Sequence, residues 1–195
     1  MTRAVALLFA ALTLLAGAGH ASAQGFFGVD SRDVMGGGPN FFGGGGGASP
    51  IPRSTVNFPA NYAPGTIVIS TAERRLYLVL GNGQALRYGI GVGRDGFRWS
   101  GTHRITAKKE WPSWTPPSQM LARRPDLPRH MNGGIENPLG ARAMYLGSTL
   151  YRIHGSNEPE TIGQAVSSGC FRMTNDDVTD LYGRVFVGTT VVVKN

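Results

Sequence analysis

Short runs of alternating or continuous apolar residues recur along the chain after residue 65, and this pattern is typical of β-strands. Residues 66–70, 75–80 and 85–92 are rich in β-branched and aromatic side chains and are separated by turn residues. Gly81-Asn82-Gly83, between the second and third runs, tolerates the positive φ values of a tight hairpin turn. The pattern therefore predicts that an antiparallel meander opens the folded domain.

Further strands are predicted in the second half of the chain. They cover residues 101–107, 143–146, 150–153, 185–187 and 190–194. A single helix is expected after Met173, because Thr174 or Asn175 can cap it, Asp176 and Asp177 suit its first turn, and Gly183 can end it. The sequence thus predicts a mainly β fold with one short helix.

The stretch from 108 to 137 shows neither the apolar alternation of a strand nor the apolar repeat of a helix. It contains Trp111, Trp114 and five prolines, and compact domains rarely carry such a long irregular loop without a use for it. Two interpretations stay open: a flap that faces the substrate, or a surface excursion in which both tryptophans pack on the core.

The first 23 residues have the pattern of a secretory signal peptide. Arg3 precedes an apolar stretch over residues 4–18, and Ala21-x-Ala23 offers a cleavage site after Ala23. The apolar stretch is shorter than the ~20 residues of a membrane-spanning helix. We therefore expect an exported protein of the periplasm or cell envelope, with no membrane span after cleavage.

Glycine dominates the next segment, and its few side chains offer little to offset the entropy lost on ordering. The sequence predicts a flexible linker over residues 24–60 and one domain over residues 61–195. The formal charge of +7 decreases by one when Arg3 is removed. This mild excess suits a polyanionic surface, and export argues against nucleic acid.

Candidate chemistry begins with cysteine, because Cys170 is the only one in the chain. An internal disulfide is excluded, so the thiol is inert, bridged to another molecule, or reactive. A reactive thiol needs a partner that raises its thiolate fraction, and His154, after a predicted strand, can supply a base. Gly169 lets the chain turn sharply, so that the amides of Gly169 and Cys170 can hold an oxyanion. Arg172 suits a carboxylate, or else pairs with one of the two aspartates of the following helix.

Residues 154–173, HGSNEPETIGQAVSSGCFRM, resemble the signature of the YkuD-type L,D-transpeptidases (ErfK/YbiS/YcfS/YnhG-like), and the similarity extends over nearly the whole domain. The resemblance implies a β-sandwich-like catalytic domain with a short helix after the catalytic cysteine. It makes Cys170 the nucleophile and His154 the general base and acid, oriented by the backbone carbonyl of Gly155. Ser168 and Arg172 are then expected beside the substrate.

The implied reaction uses peptidoglycan stem peptides. Cys170 would form a thioester with a donor stem peptide, release D-alanine, and pass the acyl group to an amine of another stem or of an attached envelope protein. No cofactor and no metal is implied. Two alternatives stay open: a carboxypeptidase or hydrolase that uses the same site with water, and a non-catalytic wall-binding module. A zinc peptidase is disfavoured because the spacing of His103, His130 and His154 does not suggest ligation.

Overall fold

A computed structural model describes residues 48–59 and 61–195. The predicted signal peptide and most of the predicted linker lie outside the described residues. Within the described ranges, no helix combines the length and the apolar character needed to cross a bilayer.

The described chain is mainly β, as predicted, with eleven strands and two α-helices. The strands are β1 (Ser54–Asn57), β2 (Ile67–Ser70), β3 (Arg75–Gly81), β4 (Gln84–Gly89), β5 (Val92–Gly93), β6 (Gly101–Glu110), β7 (Arg142–Leu146), β8 (Arg152–His154), β9 (Ala165–Ser167), β10 (Phe171–Arg172) and β11 (Thr190–Lys194). The helices are α1 (Ser118–Arg123) and α2 (Asn175–Arg184), with a 3-10 turn at Pro159–Thr161.

Nine of these strands form one sheet in the order β1-β4-β3-β2-β11-β6-β7-β8-β10, and β5 pairs with β9. The predicted meander is confirmed, since β2, β3 and β4 are successive antiparallel neighbours. Its hairpin turn has positive φ at Gly81, Asn82 and Gly83. Two pairs in the large sheet are parallel, β2 with β11 and β8 with β10.

Strand β6 joins the two halves of the large sheet. Its first residues pair with β11, and the part from Ile105 onward pairs with β7. Buried side chains from both halves and from α2 belong to one apolar cluster, which includes Ile67, Tyr88, Met144 and Phe171. The two halves therefore enclose one core, in agreement with a sandwich-like fold.

Two predictions about segment ends are wrong. Ser54–Asn57 lies inside the predicted linker but pairs with β4 as strand β1, so the folded part begins before residue 61. Its side chains alternate in burial, a signal that the surrounding glycines obscured. Residues 185–187 are not a strand: Phe186 and Val187 are exposed in a turn, which is closed by a hydrogen bond from Phe186 N–H to Thr189 Oγ1.

Helix α2 matches its predicted start. Thr174 Oγ1 accepts a hydrogen bond from Asp177 N–H at 3.2 Å, which satisfies one of the free donors of the first turn. The buried residues Val178 and Leu181 face the core. The helix follows β10 after only two residues, so its cap also fixes where the chain leaves the site described below.

We expect Thr174→Ala to lower the free energy of unfolding by about 1 kcal/mol, because the cap donor would lose its acceptor. Thr179→Ala is the matched control, since Thr179 is exposed in the middle of the same helix and alanine is the better helix former. Urea unfolding measures both. A Thr174→Ala protein as stable as the Thr179→Ala protein would contradict the capping role.

Candidate active site

Strands β8 and β10 place the candidate residues. They run parallel, with Ile153 opposite Phe171 and His154 opposite Arg172. Ile153 and Phe171 are buried in the core. Since successive side chains of a strand point to opposite faces, the residues on either side of this pair point away from the core.

The four flanking residues form a two-by-two arrangement on the other face. Arg152 and Cys170 directly precede the matched core pair, and His154 and Arg172 directly follow its two members. All four line one cavity. Cys170 and His154 thus occupy one diagonal and the two arginines occupy the other, so each candidate catalytic residue has an arginine as its cross-strand neighbour.

The cavity has a volume of about 300 Å³. The loop between β6 and β7 supplies its apolar wall through Trp114, Met120 and Leu139. Trp114 is buried and packs with Leu139 in a small cluster separate from the main core, whereas Trp111 is 42% exposed. One tryptophan of the irregular loop therefore faces the cavity, and neither belongs to the main core.

His154 is buried, and its Nδ1 lies 2.6 Å from the carbonyl oxygen of Gly155. A carbonyl can only accept, so Nδ1 carries the hydrogen and the neutral ring keeps an acceptor at Nε2. Burial lowers the pKa of His154 to about 3, and the charge of Arg172 adds to the effect, while the Gly155 carbonyl opposes it. The ring is therefore a neutral base at ordinary pH.

Burial also changes the acidity of the Cys170 thiol. It raises the pKa of Cys170, and the positive charge of Arg152 partly offsets this effect. The Sγ atom lies 3.8 Å from the Leu150 carbonyl oxygen, to which a protonated thiol can donate. The site therefore holds a neutral thiol and a neutral imidazole at ordinary pH.

The turn before the cysteine is held by side chains that sequence reasoning missed. Gly169 has φ of 109°, and its carbonyl accepts from Trp99 Nε1 at 2.8 Å. Trp99 stacks on Tyr151 with ring centroids 4.5 Å apart. A Cβ at Gly169 would come within 2.5 Å of the Tyr151 ring, so glycine is required here for both its conformation and its size.

The two backbone amides expected to hold an oxyanion, those of Gly169 and Cys170, differ in their hydrogen bonding. Gly169 N–H donates to Ser167 Oγ at 3.1 Å, and that hydroxyl donates to the Cys170 carbonyl at 2.6 Å. The Gly169 amide is therefore engaged within the turn. The Cys170 amide stays the candidate oxyanion donor of this turn. Ser168 lines the cavity, as expected of a residue beside the substrate.

Arg172 also lines the cavity, and it pairs with an acidic residue of the loop that follows β8. Its Nη1 lies 3.2 Å from Glu158 Oε2, and both side chains are buried. Glu158 was not foreseen, because an acidic residue in a polar loop sequence gives no sign that it will be buried. Arg152 could have been found, since it lies two residues before His154 on the same face of β8.

Metal ligation gains no support from the described residues. Residues 48–59 and 61–195 contain no group of three His, Cys, Asp or Glu side chains arranged to hold a metal ion. His103 packs edge-on against Trp99, and His130 Nδ1 lies 3.1 Å from Thr115 Oγ1. Neither lines the cavity with His154.

A thiol and a carbonyl-oriented histidine at adjacent strands of a mainly β domain form a candidate cysteine-based active site. The model of the YkuD family, the L,D-transpeptidase catalytic domain, matches residues 64–193. The chain therefore belongs to the YkuD family of L,D-transpeptidase catalytic domains.

Individual relatives agree with the family. The probable L,D-transpeptidase YbiS of Escherichia coli (strain K12) is 40% identical over 134 residues, which are 64% of this chain and 43% of YbiS. The probable L,D-transpeptidase ErfK/SrfK of the same strain is 38% identical over 136 residues, which are 65% of this chain and 43% of that protein. The chain thus matches less than half the length of these curated relatives.

A solved structure from Brucella melitensis, described as a probable carnitine operon oxidoreductase caia, is 49% identical, with a TM-score of 0.50, and the match covers 73% of this chain and 92% of that chain. That description differs from the family model, which matches residues 64–193.

Proposed function

We propose that this protein is a peptidoglycan L,D-transpeptidase that works through a thioester on Cys170. The observation that carries the proposal is the diagonal of Cys170 and His154 across two parallel strands, open to a cavity, in a chain whose family model is an L,D-transpeptidase catalytic domain. The donor is a stem peptide with D-alanine at position four, and the attacked carbonyl belongs to the diamino acid at position three.

The first half-reaction breaks the donor amide. Nε2 of His154 accepts the thiol proton while Sγ of Cys170 bonds to the donor carbonyl carbon. The negative charge that develops on the carbonyl oxygen is stabilised by the Cys170 amide. When the carbon–nitrogen bond breaks, His154 returns the proton to the leaving nitrogen, so that D-alanine departs as an amine and a thioester remains.

The second half-reaction transfers the acyl group. An acceptor amine attacks the thioester carbon, His154 takes a proton from that amine, and the released sulfur recovers it. A new amide forms and the thiol is restored, so neither an oxidant nor a nucleotide is consumed. A side-chain amine of a second stem peptide gives a cross-link, and an amine of an envelope protein gives an attachment.

The setting of this reaction is part of the proposal. Its substrate lies outside the cytoplasm, which agrees with the secretory pattern of residues 1–23. We therefore propose a periplasmic or cell-envelope protein that acts on stem peptides in the wall.

Intact-protein mass spectrometry tests the function. We expect incubation with a tetrapeptide stem to add the mass of the peptide less one D-alanine to Cys170, and a diamino-acid acceptor to remove that adduct with formation of the amide product. If only water released the adduct, whatever acceptor amine was present, the proposed reaction would be hydrolysis and not transpeptidation. Absence of any adduct on the folded protein would sink the catalytic proposal.

A further inference from the structure

Arg152, the arginine beside the candidate nucleophile, has no acidic partner among residues 48–59 and 61–195. Arg152 and Cys170 each directly precede a member of the matched pair Ile153 and Phe171, and Arg152 interacts with the Cys170 thiol. Its Nε is buried and, within the described part of the chain, meets no hydrogen-bond partner. By contrast, Arg172 on the other corner is paired with Glu158.

The described surroundings hold the Arg152 guanidinium in place through an aromatic ring and supply no carboxylate to it. Its guanidinium carbon lies 5.2 Å from the centroid of the Tyr145 ring, a cation–π contact that orients the group without neutralising it. No Asp or Glu of the described residues lines the cavity, whereas Arg123 adds a further cation on the wall formed by α1. A half-buried cation whose Nε is buried, and which has no acidic partner among the described residues, fits an anion supplied by the ligand.

We propose that Arg152 binds the free carboxylate of the donor's terminal residue, so that the site selects donors in which the attacked bond is the last amide of the peptide. This inference rests on the proposed function. In such a donor the carboxylate is separated from the attacked carbonyl only by the nitrogen and Cα of the leaving residue. A cation one strand away from Cys170 is therefore placed to bind it, and the planar fork of arginine suits a carboxylate.

The test compares two donors that differ only at that group, a tetrapeptide stem with a free terminal carboxylate and the same peptide with a terminal amide. Both keep the same diamino acid, so any carboxylate on that residue is constant. We expect the wild-type protein to acylate ~10- to 100-fold faster with the acid, as for one charge-assisted contact, and Arg152→Gln to abolish this preference. Arg152→Lys, which keeps the charge and loses the fork, should keep part of it.

The decisive measurement is the ratio of the acylation rate with the acid donor to the acylation rate with the amide donor. Arg152 also favours the Cys170 thiolate, and its loss would slow both donors equally without changing the ratio. Arg142→Gln is the matched control, because Arg142 lies on β7, pairs with Glu110 and does not line the cavity; it should keep the wild-type ratio. An unchanged preference in a folded Arg152→Gln protein, or no preference in the wild type, would overturn the proposal.

A second measurement needs no turnover. We expect N-acetyl-D-alanine to slow the alkylation of Cys170 by iodoacetamide in the wild type, its amide to have no effect, and Arg152→Gln to remove the protection. This result can hold even if the catalytic proposal fails, so the two failures are distinguishable. Equal protection of the wild type and Arg152→Gln would show that the carboxylate does not bind at Arg152.

Discussion

Cys170→Ala is expected to reduce release of D-alanine from a donor stem by ~10⁴-fold or more, to the uncatalysed background, because no other group in the chain can form the thioester. Cys170 is the only cysteine, so a neighbouring thiol cannot take its place. The half-buried side chain lies at the edge of a cavity. Its truncation should therefore cost about 1 kcal/mol of stability or less.

The comparison variant is Cys170→Ser, which keeps the shape of the side chain and loses the acidity of the thiol. Its hydroxyl should be almost as inactive, because a hydroxyl is a far weaker acid than a thiol and gives up its proton to His154 less readily. Single-turnover assays and thermal melts measure activity and folding together. Near-normal turnover by a folded Cys170→Ala protein would remove the thioester from the mechanism.

His154→Gln is the second large effect, and we expect acylation to slow by ~10²- to 10⁴-fold. Glutamine can still donate to the Gly155 carbonyl, so the loop should stay in place while the base is lost. His103→Gln is the matched control, since His103 lies outside the cavity and should leave acylation unchanged. A folded His154→Gln protein that acylates within a few-fold of wild type would leave Cys170 without a base.

The pH profile separates a neutral base from an ion pair formed before attack. The pKa of His154 is lowered to about 3, so the ring loses its basic function only as the pH falls towards that value. We expect wild-type acylation to be nearly constant between about pH 5 and 7, with no acid limb near the ordinary histidine pKa of ~6.5. His154→Gln depends on spontaneous thiolate formation and should gain about tenfold per pH unit over the same range. An acid limb near pH 6.5 in the wild type would contradict the neutral pair.

The local patterns were sufficient for the elements that carry strong periodicity. Strands β2, β3 and β11 were predicted because buried sheet strands give continuous apolar runs, and α2 because Thr174 caps it. Strands β5, β9 and β10 were missed, since two or three residues are too few to show a period. Strands β5 and β10 are the shortest of the three. Strand β10 nevertheless positions Cys170, the residue just before it, against β8.

The candidate site was likewise predictable from the sequence only in part. Sequence similarity proposed Cys170 and His154, and the structure brings both to one cavity. The folded chain, however, decides that Arg152 adjoins the thiol and that Glu158 pairs with Arg172. Such pairings join residues far apart in sequence, and only the folded sheet reveals them. The hydrogen bond of the Gly169 amide was also not foreseen, because its acceptor, Ser167, has to fold back across the turn.

The ladder between β8 and β10 has a consequence for how the chain can vary. A shift of one residue in either strand would exchange the two faces, moving the thiol towards the core and Phe171 into solvent. Insertions at the exposed residues Glu160 and Gln164 would leave the ladder intact, because the connecting loop does not determine the register. The number of residues between the histidine and the cysteine can thus vary over evolution. The side of the sheet to which each of the two residues points cannot vary.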